Sequence, residues 1–259
     1  MSPGGALALK LVLTPLLVGA ASLAGRRWGS AVGGWLIGIP FTSGPIAFFL
    51  ALDPGGRFAQ DAAAGIMAGA VSQAAFCLGY AWTAQRAGWP GALAGATSAF
   101  AASTVVLAAV ALPVPASFVV IIVFIVVALF LMPAAPVRGE EVALYPRWDI
   151  PARMVVATAF VLALTEAAPA LGARPAGLIA PFPLYASVLA AFAHRAQGHD
   201  AAVGVLRGLL LGLFAFASFF LAVATLLPRG IGIAFASAVM AALAVQVVTL
   251  LAGRRLGLA

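Results

Sequence analysis

Two short segments hold the most pointed chemistry in this chain. Gly38-Ile39-Pro40-Phe41-Thr42-Ser43-Gly44-Pro45 and Pro181-Phe182-Pro183-Leu184-Tyr185-Ala186-Ser187 each set prolines and hydroxyl side chains inside a long apolar run. Proline in a helix removes an N–H donor and clashes with the carbonyl one turn earlier, so each segment predicts a broken helix. In hydrocarbon the freed backbone groups need a protein or water-filled surround. Paired half-helix ends then aim partial charges at the membrane midplane, as in carriers that bind substrate there. Pro40, Phe41, Thr42 and Ser43, with Pro181, Phe182, Pro183, Tyr185 and Ser187, are therefore the candidate substrate-binding residues. The hydroxyls would supply polar contacts and Phe41 and Phe182 the walls. The competing reading is a pair of kinks that only shape packing, with Ser and Gly admitting close helix approach.

Charges inside apolar runs are the next candidates, because burying them in lipid is costly. Lys10 and Glu166 fall at similar depths in equivalent runs, which makes them a candidate ion or coupling pair. The alternative is two side chains reaching separately to the interface. Arg207 lies about two turns into its run and, if turned inward, would meet an anionic head group or substrate. Asp61 and Asp200 each precede small residues and read as helix N-caps at the membrane surface. Catalytic residues are not expected: His194 and His199 flank Arg195 and Gln197 in a polar loop without carboxylate partners at metal-ligand spacing. No metal site, no cofactor and no Walker A loop is expected, so the reading is not an enzyme and not an ATP-driven pump.

The elements that must position these residues follow from composition. Of 259 residues, 64% are apolar and only 8% charged, with a mean hydropathy of +1.14. Soluble domains carry roughly a quarter charged residues, so lipid must cover much of this surface and no accessory soluble domain is expected. A bilayer core about 30 Å thick needs about 20 apolar residues as helix. Nine runs qualify, over 5–25, 31–51, 61–84, 90–112, 115–133, 152–170, 175–194, 200–226 and 230–252. Pro113 and Pro115 divide the fourth run from the fifth; if they only kink one long helix, the count is eight. The fold class is thus an all-α polytopic membrane helix bundle of about nine transmembrane helices. The first run reads as a retained helix rather than a cleaved signal. The net charge of +7 comes from arginines scattered singly between runs, which argues against nucleic acid. Nine of the fourteen basic residues collect on one side, placing the N-terminus outside and the C-terminus in the cytoplasm.

The halves of the chain echo each other. Asp61-Ala-Ala-Ala-Gly65 matches Asp200-Ala-Ala-Val-Gly204, and Gly69 matches Gly208. Upstream, Gly29, Gly34 and Pro40 match Gly172, Gly177 and Pro183 after a four-residue gap. Runs 1–4 then pair with runs 6–9 around an unpaired fifth, and the odd offset reverses the second copy: a 4+1+4 inverted-topology repeat. Residues 1–135 form the first repeat with the linking helix, 136–151 a cytoplasmic linker, and 152–259 the second, inverted repeat.

Ala176-Gly-Leu-Ile-Ala-Pro-Phe-Pro-Leu-Tyr-Ala-Ser187, followed by Gly198-His-Asp-Ala-Ala-Val-Gly-Val-Leu-Arg-Gly208, resembles the GlpM (YdgC) family of four-span bacterial inner-membrane proteins. The resemblance covers about residues 170–230, with an echo over 30–90 in which Ala68 stands where the second copy has Arg207. It implies two GlpM-like units fused in opposite orientations and a bacterial inner-membrane location. The expected function is a secondary transporter or flippase-like carrier of a small anionic or amphiphilic substrate, held between broken helices 2 and 7. The alternative is a non-transporting membrane subunit supporting cell-envelope or lipid biosynthesis. The expected partners are the lipid bilayer, an unidentified small-molecule substrate and, as a candidate, a second copy in a homodimer.

Overall fold

The computed structural model describes residues 3–28, 40–110, 112–133 and 149–255. The expected linker, except its last three residues, and the 31–39 portion of the second run, with Gly34 and Gly38, lie outside the described residues. Every described element is helical. In chain order they are α1 (Pro3–Trp28), α2 (Ser43–Leu52), α3 (Gly56–Thr83), α4 (Trp89–Ala109), α5 (Val114–Leu131), α6 (Asp149–Leu171), α7 (Ala173–Ile179), α8 (Leu184–Gln197), α9 (His199–Leu226) and α10 (Ile231–Arg255). A single 3₁₀ turn, Leu227–Arg229, joins the last two.

Seven of these segments are long and apolar enough to cross a bilayer, counting α7 and α8 as one interrupted span, Ala173–Gln197. The 28 residues of α3 extend about 42 Å at 1.5 Å per residue, beyond the hydrocarbon thickness of about 30 Å. Shorter apolar stretches, Leu7–Ala20 within α1 and Ser43–Leu52, occupy the first two expected runs. The chain is a multi-pass membrane helix bundle. Its outer surface is correspondingly greasy, with Phe130 85% and Val105 71% exposed.

Helix ends follow the punctuation in the sequence. Pro90 and Pro115 sit in the first turns of α4 and α5, where a missing N–H costs nothing. Because α4 stops at Ala109 and α5 starts at Val114, the Pro113–Pro115 corner joins two helices and does not kink one. Gly172 and Gly198 turn the chain between α6 and α7 and between α8 and α9 with φ of +90° and +92°, values a side chain disfavours. Two boundaries differ from the sequence expectation. α3 starts at Gly56, so Asp61 lies inside it instead of capping it, and Asp200 lies in the first turn of α9 behind Gly198.

The interior is built on α3 and α9, whose spans are 72% and 67% buried, against 17% to 22% for α4, α5 and α10. These two helices pack on each other. α4 packs on α3 as α10 packs on α9, α5 lies against both central helices, and α1 pairs with α6. Helices in lipid associate through close packing more than through the hydrophobic effect, which favours small residues at crossings. A Cβ on Gly65 would sit 2.8 Å from the Arg174 carbonyl and 3.2 Å from the Gly177 Cα, so α3 and α7 cross almost backbone to backbone. Farther along α3, Ser72 donates to Ser103 at 3.3 Å and accepts from Thr104 at 2.9 Å, tying α3 to α4.

Gly177→Ala tests the crossing. Its Cβ would press on the Ala62 carbonyl and sit 3.0 Å from both the Gly65 Cα and the Ile66 nitrogen, backbone atoms that cannot rotate away. We expect a loss of about 1–3 kcal/mol, the usual cost of overpacking. Denaturant unfolding in detergent should show it, with Gly232→Ala, which enters open space, matching the parent protein.

Candidate functional site

The described side of the first expected break, from Pro40 onward, meets the second. In the first break Pro40, Phe41 and Thr42 precede α2, and the Pro40 and Thr42 carbonyls accept from Gly44 at 2.8 Å and Ile46 at 3.2 Å. In the second, residues 180–183 separate α7 from α8, and the Ile179 and Phe182 carbonyls accept from Phe182 at 3.0 Å and Leu184 at 2.8 Å. The Pro183 carbonyl takes the Ser187 N–H at 2.8 Å and its hydroxyl at 2.7 Å. One bond crosses between the breaks: the buried Ser43 hydroxyl donates to the Ala180 carbonyl at 3.0 Å. The first segment thus helps satisfy the backbone that proline disrupts in the second.

Around this junction lies a cavity of about 350 Å³. The first break contributes Pro40, Phe41, Thr42 and Ser43; the second contributes Pro181, Phe182, Pro183, Tyr185 and Ser187. Nine of the ten substrate-binding candidates named from the sequence therefore line one space. Phe182 is fixed edge-on by Phe76 at 6.1 Å and Phe100 at 5.1 Å, so it is a rigid wall. Pro181 rests where α3 has Gly69; a Cβ there would collide with the proline ring. α2 and α8 both begin at the cavity, so the electropositive ends of two helices face it.

Arg207 is the exception. Its guanidinium donates to the Pro133 carbonyl at 3.1 Å and the Met132 carbonyl at 3.5 Å, beyond the end of α5. A cation near a helix C-terminus satisfies its last carbonyls. Arg174 does the same for α4, donating to the Leu107 carbonyl at 3.1 Å and to the Val110 carbonyl.

The cavity's cation is Arg153, one of the nine basic residues on the arginine-rich side. Its residue is only 6% exposed, and its guanidinium stands 4.6 Å from the centre of the Tyr185 ring. A cation over an aromatic face gains about 0.5–2 kcal/mol as it loses water. Gln73 of α3 is the second residue missed: it is 5% exposed, lines the cavity, and its side-chain oxygen has no hydrogen-bond partner. Both had a legible signal, an arginine already inside the sixth run and an amide in the middle of the third. Trp89, Leu93, Ala152 and Phe192 extend the lining toward the start of α4, the start of α6 and the end of α8.

No protein-family model, curated protein or solved structure matches this chain.

Lys10 and Glu166 stand apart from the cavity and together. Lys10 Nζ donates to Glu166 Oε1 at 3.2 Å and lies 5.7 Å from the Phe49 ring centre, joining α1, α6 and α2. The lysine is 11% exposed and the carboxylate 76%. At the end of α8, the Tyr80 hydroxyl lies 3.3 Å from His194 Nδ1, and His199 Nε2 lies 3.0 Å from Asp200. Among the described residues no three His, Cys, Asp or Glu side chains gather as a metal would require. Among the described residues the cavity offers a greasy surround with one cation, a buried amide and a few hydroxyls.

A double-mutant cycle tests the lysine–glutamate contact. Lys10→Met and Glu166→Gln should each lower the unfolding midpoint in lipid nanodiscs, and the double variant should lose less than their sum. The expected coupling is about 0.5 kcal/mol or more.

Proposed function

We propose that this protein is a secondary transporter or flippase-like carrier of an anionic amphiphile. The observation that carries the reading is the meeting of the Pro40–Ser43 segment and the α7–α8 break at one cavity that also holds Arg153. Ligand sites are mostly apolar clefts of about 300–1,000 Å³ with a few placed polar groups, and the volume of about 350 Å³ agrees. A buried guanidinium and two helix N-termini favour a negative head; Phe41, Phe182 and Phe216 favour an apolar body. Arg153 takes the part that the sequence reading gave to Arg207.

The proposal includes a duplicated architecture. The matched pairings of α3 with α4 and α9 with α10, around an α5 that touches both halves, agree with two inverted copies. The likeness of residues 170–230 to GlpM-type proteins supports a bacterial inner-membrane location. The arginine distribution supports an external N-terminus and a cytoplasmic C-terminus. The cavity would then run from the breaks toward the cytoplasm, because the starts of α4 and α6 and the end of α8 lie on the arginine-rich side.

Uptake of radiolabelled alkyl phosphates and alkyl carboxylates into proteoliposomes is the direct measurement. Losing a hydrogen bond to a charged group costs about 1.5–3 kcal/mol, so Arg153→Gln should cut flux at least tenfold, while Arg207→Gln stays within twofold. Unaltered flux in both Pro40→Ala and Pro183→Ala would reject the site; binding without flux would favour a non-transporting membrane subunit. Orientation is read separately on a Cys77→Ser background, the native thiol being buried in α3. Ser2→Cys should label from outside intact cells, and Ala259→Cys only after permeabilisation.

A further inference from the structure

Behind the first break lies a second pocket of about 260 Å³, between α1, α2, α9 and α10. Its described lining has no polar side chain: Leu13 and Leu17 come from α1, Phe48 from α2, Phe219 from α9, and Ala242 and Leu243 from α10. Three rings shape its wall, with Phe235 edge-on to Phe48 at 5.4 Å and to Phe219 at 6.1 Å. Pro40 and Phe41 line both this pocket and the Arg153 cavity, so one residue pair is the partition between them. On the far side Val239 and Leu243, each 48% exposed, bring the pocket to the outer, lipid-facing surface.

We propose that the two spaces are one bipartite site for a single-chain amphiphile taken from the bilayer. The anionic head lies at Arg153, and the hydrocarbon chain passes Phe41 into the apolar pocket. The inference rests on the carrier reading above and adds the substrate class and its lateral route. A dry cavity of about 150 Å³ lined by Leu, Ile and Phe is enough to hold a benzene ring, so 260 Å³ accepts a run of methylenes. A water-soluble anion would use the first cavity alone and leave the second without a purpose. A lipid chain explains its lack of polar lining, its border on the head cavity and its exposed rim together. Phe41 is the specificity-determining residue in this arrangement, because the chain must pass its ring.

Binding of inorganic phosphate, butyl phosphate and decyl phosphate to the protein in nanodiscs tests this, with empty nanodiscs subtracted. Each buried methylene is worth about fourfold in affinity. Ala242→Leu fills the pocket from a position only 4% exposed, and should weaken decyl phosphate at least tenfold while leaving butyl phosphate within twofold. Leu243→Trp narrows the rim from the exposed side and should give the same pattern, which guards against a packing defect in the first variant. Arg153→Gln should weaken both alkyl phosphates together, with inorganic phosphate the poorest ligand of the parent protein. Decyl phosphate binding unchanged in both pocket variants but lost in Arg153→Gln overturns the bipartite site and leaves the head cavity standing. Alkyl phosphate binding indifferent to Arg153→Gln overturns the carrier site itself.

Discussion

A helix interrupted inside hydrocarbon must hand its freed backbone groups to protein or to a water-filled cavity, since lipid will not take them. Here the first interruption serves the second. Ser43, at the start of α2, gives its hydroxyl to the Ala180 carbonyl, the last residue before Pro181 stops α7. That single bond fixes the relative depth of the two breaks. It also keeps both helix N-termini, at Ser43 and Leu184, facing the same space. A cavity at this depth follows from the constraint: prolines that deny the helix its ladder also deny it a filled cross-section.

The breaks can meet only because α3 lets them. Gly65 and Gly69 remove the side chains that would hold α7 and Pro181 away, and Gly177 answers from the other side. In water such a contact would bury little apolar area and gain little. In lipid the competing solvent is as apolar as leucine, so van der Waals contact and satisfied polar groups decide, and the smallest residues win. The same argument explains the polar bonds between α3 and its neighbours, among them Gln60 to the Ala224 carbonyl at 2.8 Å. Gln73 breaks this pattern. Its oxygen is buried on the most enclosed helix without a hydrogen-bond partner, a costly arrangement.

Much of this was legible in the sequence, and the failures have a common cause. Hydropathy and proline positions report depth, so they located the breaks, and Lys10 and Glu166 at matching depth. They do not report which way a side chain turns around its helix. Arg153 and Arg207 looked alike in that respect: each lies within a few turns of a membrane surface, and a long side chain can reach either way. The structure turns Arg153 inward under Tyr185 and Arg207 toward the carbonyls that end α5. Helix starts were misjudged for a related reason. The apolar run marks where lipid begins, but α3 starts earlier, at Gly56, because Gly55 with φ of +123° ends the preceding turn before the greasy stretch opens.

One correspondence ties the charges to the proposed duplication. The register that sets Pro40 against Pro183 also sets Lys10 against Arg153, so each copy carries one cation near the N-terminal end of its first helix. Both rest near an aromatic ring, Phe49 for the lysine and Tyr185 for the arginine. In the proposed inverted arrangement they lie toward opposite membrane faces. They differ in what surrounds them: Lys10 is engaged by Glu166 across α1 and α6, while Arg153 lines the cavity beside Tyr185. Glu166 sits 76% exposed: a carboxylate at the rim gives up less hydration to pair with its lysine than one sealed inside.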